Sequence, residues 1–104
     1  MDFAVVAGID DPYLVNNIPI YLSRRDYYVL EQMTSFGVLA HVIGNNNYID
    51  VVVIGENIRP WGARDLVQEM SVRRYDVPII VYGDVDLSDI DYDGDLFVLG
   101  RDCK

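Results

Sequence analysis

The chain has 104 residues, of which 51% are hydrophobic, and its 17 acidic and 8 basic side chains give a formal net charge of −9. This length fits one domain spanning residues 1–104, and the hydrophobic fraction excludes a largely disordered chain. The negative charge argues against a surface that binds nucleic acid directly, and the single cysteine excludes an internal disulfide.

The first predicted element is a central strand at residues 3–9 (FAVVAGI), because the run is almost wholly apolar. It ends at an acidic turn formed by Asp10 and Asp11. Residues 12–22 contain an asparagine turn signal and then IPIYL, which is a candidate edge strand because Pro19 cannot donate a ladder hydrogen bond.

A helix is predicted next. Ser23 followed by Asp26 resembles a capping box, which marks a helix start. Gly37 suits the position just beyond a helix end. The predicted buried stripe consists of Val29, Leu30, Met33 and Phe36.

Residues 38–43 (VLAHVI) allow two assignments. Their β-branched content and the preceding Gly37 favour a strand, whereas an extension of the helix is the alternative. Residues 44–49 are too few for a crossover helix, so a strand here would form an antiparallel hairpin with the next strand.

Residues 50–84 carry the strongest pattern in the chain. Two apolar runs at residues 51–54 and 77–82 flank a helical pattern, which predicts a βαβ crossover and a parallel sheet. Pro60 and Gly62 introduce the helix. Its predicted face consists of Ala63, Leu66, Val67, Met70 and Arg74, with Arg74 capping the end.

Trp61 lies just before this helix and is a candidate binding residue. Tryptophan is costly to leave in water, which favours a core anchor over an exposed contact. A last strand is predicted at residues 95–99 (DLFVL).

The segment before this last strand is rich in aspartate. From Asp89 to Asp95, every second residue is an aspartate, and Gly94 stands at the sixth position. This pattern matches the opening of a calcium-binding EF-hand loop. Gly100 stands where the bidentate glutamate should be, so a solvated acidic loop is favoured over a weak calcium site. The candidate metal ligands are Asp89, Asp91, Asp93 and Asp95.

A second candidate site lies at the ends of the predicted strands. Asp10, Asp11 and Glu56 are expected to converge at the carboxyl edge of a parallel sheet, where such folds bind ligands. Clustered carboxylates attract a magnesium ion, although carboxylates that only cap turns and helix starts are an equal alternative.

Three stretches resemble the receiver domain of bacterial response regulators. FAVVAGIDD resembles the first receiver strand with its acidic pair, DVVVIGENIRP the third strand, and PIIVYG the fourth. The resemblance covers residues 3–11 and 50–83. It implies a small three-layer, flavodoxin-like or receiver-like α/β fold with a mostly parallel sheet of about five strands and room for one antiparallel hairpin.

The departures from the receiver pattern bear on function. The phosphate-accepting position falls on Gly55 or Glu56, and neither can form an aspartyl phosphate. Gly83 replaces the hydroxyl residue, and the last strand lacks the receiver lysine, with Arg101 as the nearest cation. The resemblance therefore implies a pseudo-receiver that is not an enzyme, needs no cofactor and signals through protein contacts.

Two other functions remain open. One is a small acidic inhibitor that occupies a basic surface of a nucleic-acid enzyme through residues 84–95. The other is a magnesium-dependent receiver or phosphoryl-transfer domain using Asp10, Asp11 and Glu56. We expect a protein partner with a basic surface, no membrane contact and a cytoplasmic location, and a homodimer is compatible with the sequence.

Overall fold

The strands and helices alternate along the chain. The computed structural model describes residues 3–8, 27–31, 34–45 and 48–100. The elements are β1 (Phe3–Gly8), β2 (Tyr27–Glu31), α1 (Ser35–Asn45), β3 (Val51–Gly55), α2 (Ala63–Val72), β4 (Ile79–Tyr82) and β5 (Leu96–Leu99). The five strands form one sheet in the order β2-β1-β3-β4-β5, and every neighbouring pair is parallel. The parallel βαβ unit predicted for residues 50–84 is therefore confirmed.

One face of the sheet packs against both described helices. The strands contribute the buried side chains of Val6, Val52, Ile54, Ile79 and Val81 to this core. From α1 come Val38, Leu39 and Val42, and from α2 come Ala63, Leu66, Val67 and Met70. The apolar part of the predicted α2 face is thus confirmed, since none of its four residues is more than 1% exposed.

The opposite face of the sheet is also buried in its central strands. Val5 and Ala7 of β1 and Val51 and Val53 of β3 form a second cluster, none of them more than 8% exposed. Burial on both faces explains why these strands read as continuous apolar runs rather than alternating ones. It agrees with the predicted three-layer arrangement.

The helix predicted to begin near Ser23 and to end at Gly37 is wrong for the described residues. Residues 27–31 form β2, and Val29 and Leu30 pair in register with Val5 and Val6 of β1. The aromatic and β-branched residues of YYVLE suit a strand, and pairing with the central strand overrides the weak capping signal. Phe36 is 51% exposed, so it does not belong to a buried stripe.

The prediction of a strand at residues 38–43 is also wrong, and so is the antiparallel hairpin that depended on it. These residues lie within α1, whose buried side chains Ser35, Val38, Leu39 and Val42 follow the helical period. Thr34 caps the helix, because its Oγ1 accepts a hydrogen bond from the Gly37 backbone N–H at 3.0 Å. Gly37 therefore lies in the first turn rather than beyond the helix end.

Several predicted features lie outside the described residues. They are Asp10 and Asp11, the candidate edge strand at residues 18–22, the capping pair Ser23 and Asp26, Met33 and Arg101. Within the described part of the chain, neither helix is long and apolar enough to cross a membrane.

Arg74 does not lie on the α2 face as predicted but one residue beyond the helix cap, Arg73. The backbone N–H of Arg74 donates to the Ser71 carbonyl, and that of Tyr75 donates to the Met70 carbonyl. This pair of hydrogen bonds is a Schellman motif, which requires a left-handed residue at its centre. Arg74 supplies it with φ of 64°.

Replacing Arg74 by glycine should raise the free energy of unfolding by roughly 0.5–1 kcal/mol, because glycine adopts this conformation without a Cβ clash. Arg73→Gly is the matched control, since Arg73 has φ of −80° and donates to Glu69 at 2.8 Å. It should lower stability by a similar amount. Urea unfolding of both variants checks this, and equal effects would contradict the left-handed assignment.

Candidate functional site

The carboxyl ends of β3 and β4 lie side by side in the sheet. Gly55 pairs with Tyr82 in register, so Glu56 and Gly83 directly follow two neighbouring strands. In parallel α/β sheets this edge is where ligands bind. Of the predicted acidic group, only Glu56 belongs to the described part of the chain, so its convergence with Asp10 and Asp11 stays a prediction.

Glu56 connects the ends of the two strands through both its backbone and its side chain. Its backbone N–H donates to the Tyr82 carbonyl at 2.9 Å. Its carboxylate atom Oε2 accepts a hydrogen bond from the Asp84 backbone N–H at 3.1 Å. The carboxylate thus lies over the end of β4 and holds the first residue of the acidic segment (residues 84–95).

Gly83 leaves room for the Glu56 side chain. A Cβ atom at Gly83 would lie 2.6–2.7 Å from Cβ, Cγ and Cδ of Glu56, far inside van der Waals contact. Gly83 also has φ of 137°, a conformation that other residues rarely adopt. In the sequence, Gly83 stands out only as a missing hydroxyl, whereas in the structure its lack of a side chain leaves the space that the Glu56 side chain occupies.

Trp61 joins the loop after β3 to the start of α1. Its backbone N–H donates to the Ser35 Oγ at 2.9 Å, and its ring meets Phe36 edge to face with centroids 4.7 Å apart. The tryptophan is partly buried against the main core, while Phe36 is half exposed. Trp61 is therefore both an anchor and part of a small aromatic surface. Ser35, which is fully buried, was missed because its partner is 26 residues away.

The acidic segment is held against α2 by an ion pair. Arg64 makes two hydrogen bonds to the Asp89 carboxylate, at 2.6 and 2.8 Å, and a third to the Asp86 carbonyl at 2.9 Å. The hydrogen bonds from Arg64 lower the pKa of Asp89. Hydrogen bonds from the Ser88 hydroxyl and backbone lower the pKa of Asp86. Both carboxyl groups are therefore ionised at neutral pH.

The candidate calcium ligands do not form a cluster. No group of three carboxylate, histidine or cysteine side chains in the described ranges is placed to hold a metal ion. Asp89 faces Arg64, and the exposed Asp91, Asp93 and Asp95 alternate along the segment. The solvated acidic loop therefore stays a prediction, and Gly94 has a structural role of its own.

Gly94 allows the acidic segment to approach the residues that lead into β4. A Cβ atom at Gly94 would lie 2.6 Å from the Asp76 carbonyl carbon and closer still to its oxygen. The Tyr92 hydroxyl donates to the Val77 carbonyl, and the Ile79 N–H donates to the Asp95 carbonyl at 2.9 Å. Burial raises the pKa of Tyr92, so this hydroxyl remains protonated as a donor.

Strand order and edge geometry together define a class of protein. A parallel sheet in the order 2-1-3-4-5, with polar residues after the ends of β3 and β4, is the flavodoxin-like arrangement. The described part of the chain therefore forms a small receiver-like α/β domain.

Solved structures agree with this assignment of fold. A response regulator receiver domain protein from Clostridium thermocellum has a TM-score of 0.71 and 21% identity, over 100% of this chain and 85% of that chain. FixJ-N has a TM-score of 0.69 and 15% identity over the same shares. A response regulator receiver protein from Pseudomonas putida has a TM-score of 0.65 and 18% identity, over 86% of this chain and 74% of its own.

No family model matches the chain, and no curated protein is detectably similar to it in sequence. At these identities the structural similarity establishes a shared receiver fold.

Proposed function

We propose that this chain is a non-catalytic, pseudo-receiver binding module that is not switched by phosphorylation. The observation that supports this is the Glu56 carboxylate, which lies over Gly83 and accepts the Asp84 N–H. The receiver pattern places a phosphate acceptor after β3 and a hydroxyl after β4. Here a carboxylate fills that space, so a phosphoryl group would have to displace it.

The acidic segment supports a protein partner with a basic contact surface. All six of its aspartates are exposed, and while Asp89 is paired with Arg64, the charge of the other five is available to a partner. Opposite charge steers association and makes it sensitive to salt. The same exposure also supports a second candidate, an inhibitor that occupies a basic surface of a nucleic-acid enzyme.

Incubation with acetyl phosphate and Mg²⁺ should leave the mass of the intact chain unchanged, because Gly55 has no carboxylate and the Glu56 carboxylate is bound to the Asp84 N–H over Gly83. Intact-mass spectrometry checks this, with a phosphorylatable receiver domain treated in parallel to show that the donor is active. A gain of one phosphoryl group that maps to Asp10, Asp11 or Glu56 would overturn the pseudo-receiver proposal.

A further inference from the structure

Strand β5 is an edge strand with one open side among the described residues. It pairs only with β4, where the carbonyl groups of Asp95 and Leu99 accept hydrogen bonds. Because backbone groups alternate in direction along a strand, those of Leu96 and Val98 point away from β4. They offer donors and acceptors to a further strand.

The side chains of β5 are unusually apolar for an exposed edge. Phe97 is 56% exposed, Val98 42% and Leu99 43%. Natural sheets usually protect such edges with charged residues or proline, and LFVL contains neither. An unprotected apolar edge strand is a favourable site for a partner strand.

Carboxylates flank this edge at both ends. Asp95 immediately precedes β5 and is exposed. Asp84 lies at the other end, because its Oδ1 would be 3.6 Å from a Cβ atom built at Gly100. Residues 95 and 100 are separated by about 17 Å at the rise of a strand.

We propose, on the basis that the chain is a binding module, that the β5 edge accepts an extended segment of a partner protein. The segment joins the sheet as a sixth strand, with main-chain hydrogen bonds to Leu96 and Val98. A short apolar centre of the segment covers Phe97 and Leu99. Basic residues on both sides of that centre meet Asp95 and Asp84.

Charge distinguishes this partner from a second copy of the chain. If two β5 strands paired antiparallel, Asp95 of one copy would face Asp84 of the other, and parallel pairing would place like aspartates side by side. Each copy also carries a net charge of −9. Like charges opposite each other destabilise strand pairs, so a basic segment fits this edge better.

The probe is the synthetic peptide Lys-Arg-Val-Thr-Val-Thr-Arg-Lys, titrated into the full-length, ¹⁵N-labelled chain. The amide signals of Leu96 to Leu99 should shift, and the outward amides of Leu96 and Val98 should exchange more slowly with solvent. A peptide with glutamine at all four basic positions should bind at least ~10-fold more weakly, because it lacks the charges that meet the flanking carboxylates.

Two pairs of variants separately test the strand pairing at β5 and the contacts of the flanking carboxylates with basic residues. Val98→Lys should weaken peptide binding at least ~10-fold, while Val72→Lys, the same change at a 67% exposed position of α2, should change it less than ~3-fold. The double variant Asp84→Asn/Asp95→Asn should weaken binding more than Asp50→Asn/Asp65→Asn, which removes equal charge at two exposed positions outside the acidic segment.

Three outcomes would overturn the proposal. One is the absence of shifts in β5 at millimolar peptide, and another is equal weakening by Val98→Lys and Val72→Lys. The third is a dimer of the free chain, seen in sedimentation and abolished by Val98→Lys, which would assign the edge to a second copy. None of these measurements involves phosphate. A negative result would therefore overturn only the proposal for the β5 edge, and the acetyl phosphate experiment tests the pseudo-receiver proposal separately.

Discussion

Gly83→Ala should lower the free energy of unfolding by about 3–5 kcal/mol, as measured by urea unfolding. The new methyl group would collide with the Glu56 side chain, and φ of 137° is unfavourable for alanine. The two costs have different origins, since one is backbone strain and the other is overpacking. Together they make this substitution one of the two most damaging that we expect.

The control for this prediction is Gly44→Ala. Gly44 lies in α1 with nothing within 4 Å of its added Cβ, so alanine there should raise stability by about 0.5–1 kcal/mol. Repeating Gly83→Ala in a Glu56→Ala background should reduce its cost by about 1 kcal/mol, because the contacts with Cγ and Cδ of Glu56 are removed while the contact with its Cβ stays. An unchanged cost would show that the part of the Glu56 side chain beyond Cβ does not lie over Gly83, which would remove the main support for the proposed function.

Gly94→Ala should lower the free energy of unfolding by about 3 kcal/mol or more, at the upper end of the cost of overpacking. The added methyl group would meet the carbonyl of Asp76, and a backbone group cannot rotate away as a side chain can. Relief would require the acidic segment to separate from residues 76–79. The hydrogen bond between Ile79 and Asp95, which starts the pairing of β4 with β5, would then lengthen.

Gly100→Ala provides the matched control at the other end of β5. Its Cβ atom would meet only Asp84 Oδ1, at an ordinary 3.6 Å, so we expect a change within about 0.5 kcal/mol. Thermal unfolding of both variants, followed by circular dichroism, compares them directly. If both changes proved mild, the close approach of Gly94 to Asp76 would be wrong.

The parts of the fold that were predicted correctly have local signals. Strands β3 and β4 are apolar on both faces, and α2 has a regular buried stripe that begins after Pro60 and Gly62. The segment from residue 27 to residue 45 lacks such a signal, because its apolar residues suit either a strand or a helix. Pairing of β2 with β1 decides that residues 27–31 are extended, and contact with the core decides that α1 is helical.

The candidate site also has features that the sequence predicts and features that depend on the tertiary structure. By itself, the sequence determined that Glu56 and Gly83 follow two apolar strands, that the receiver pattern lacks its acceptor and hydroxyl there, and that the next segment is acidic. Only the tertiary structure decided that Glu56 lies over Gly83, that Arg64 holds Asp89, and that β5 is an apolar edge strand of the described sheet. The physical reason is separation along the chain. The side-chain contacts of Glu56 and Arg64 join residues 28 and 25 positions apart, and no local propensity or spacing specifies such pairs before the sheet has formed.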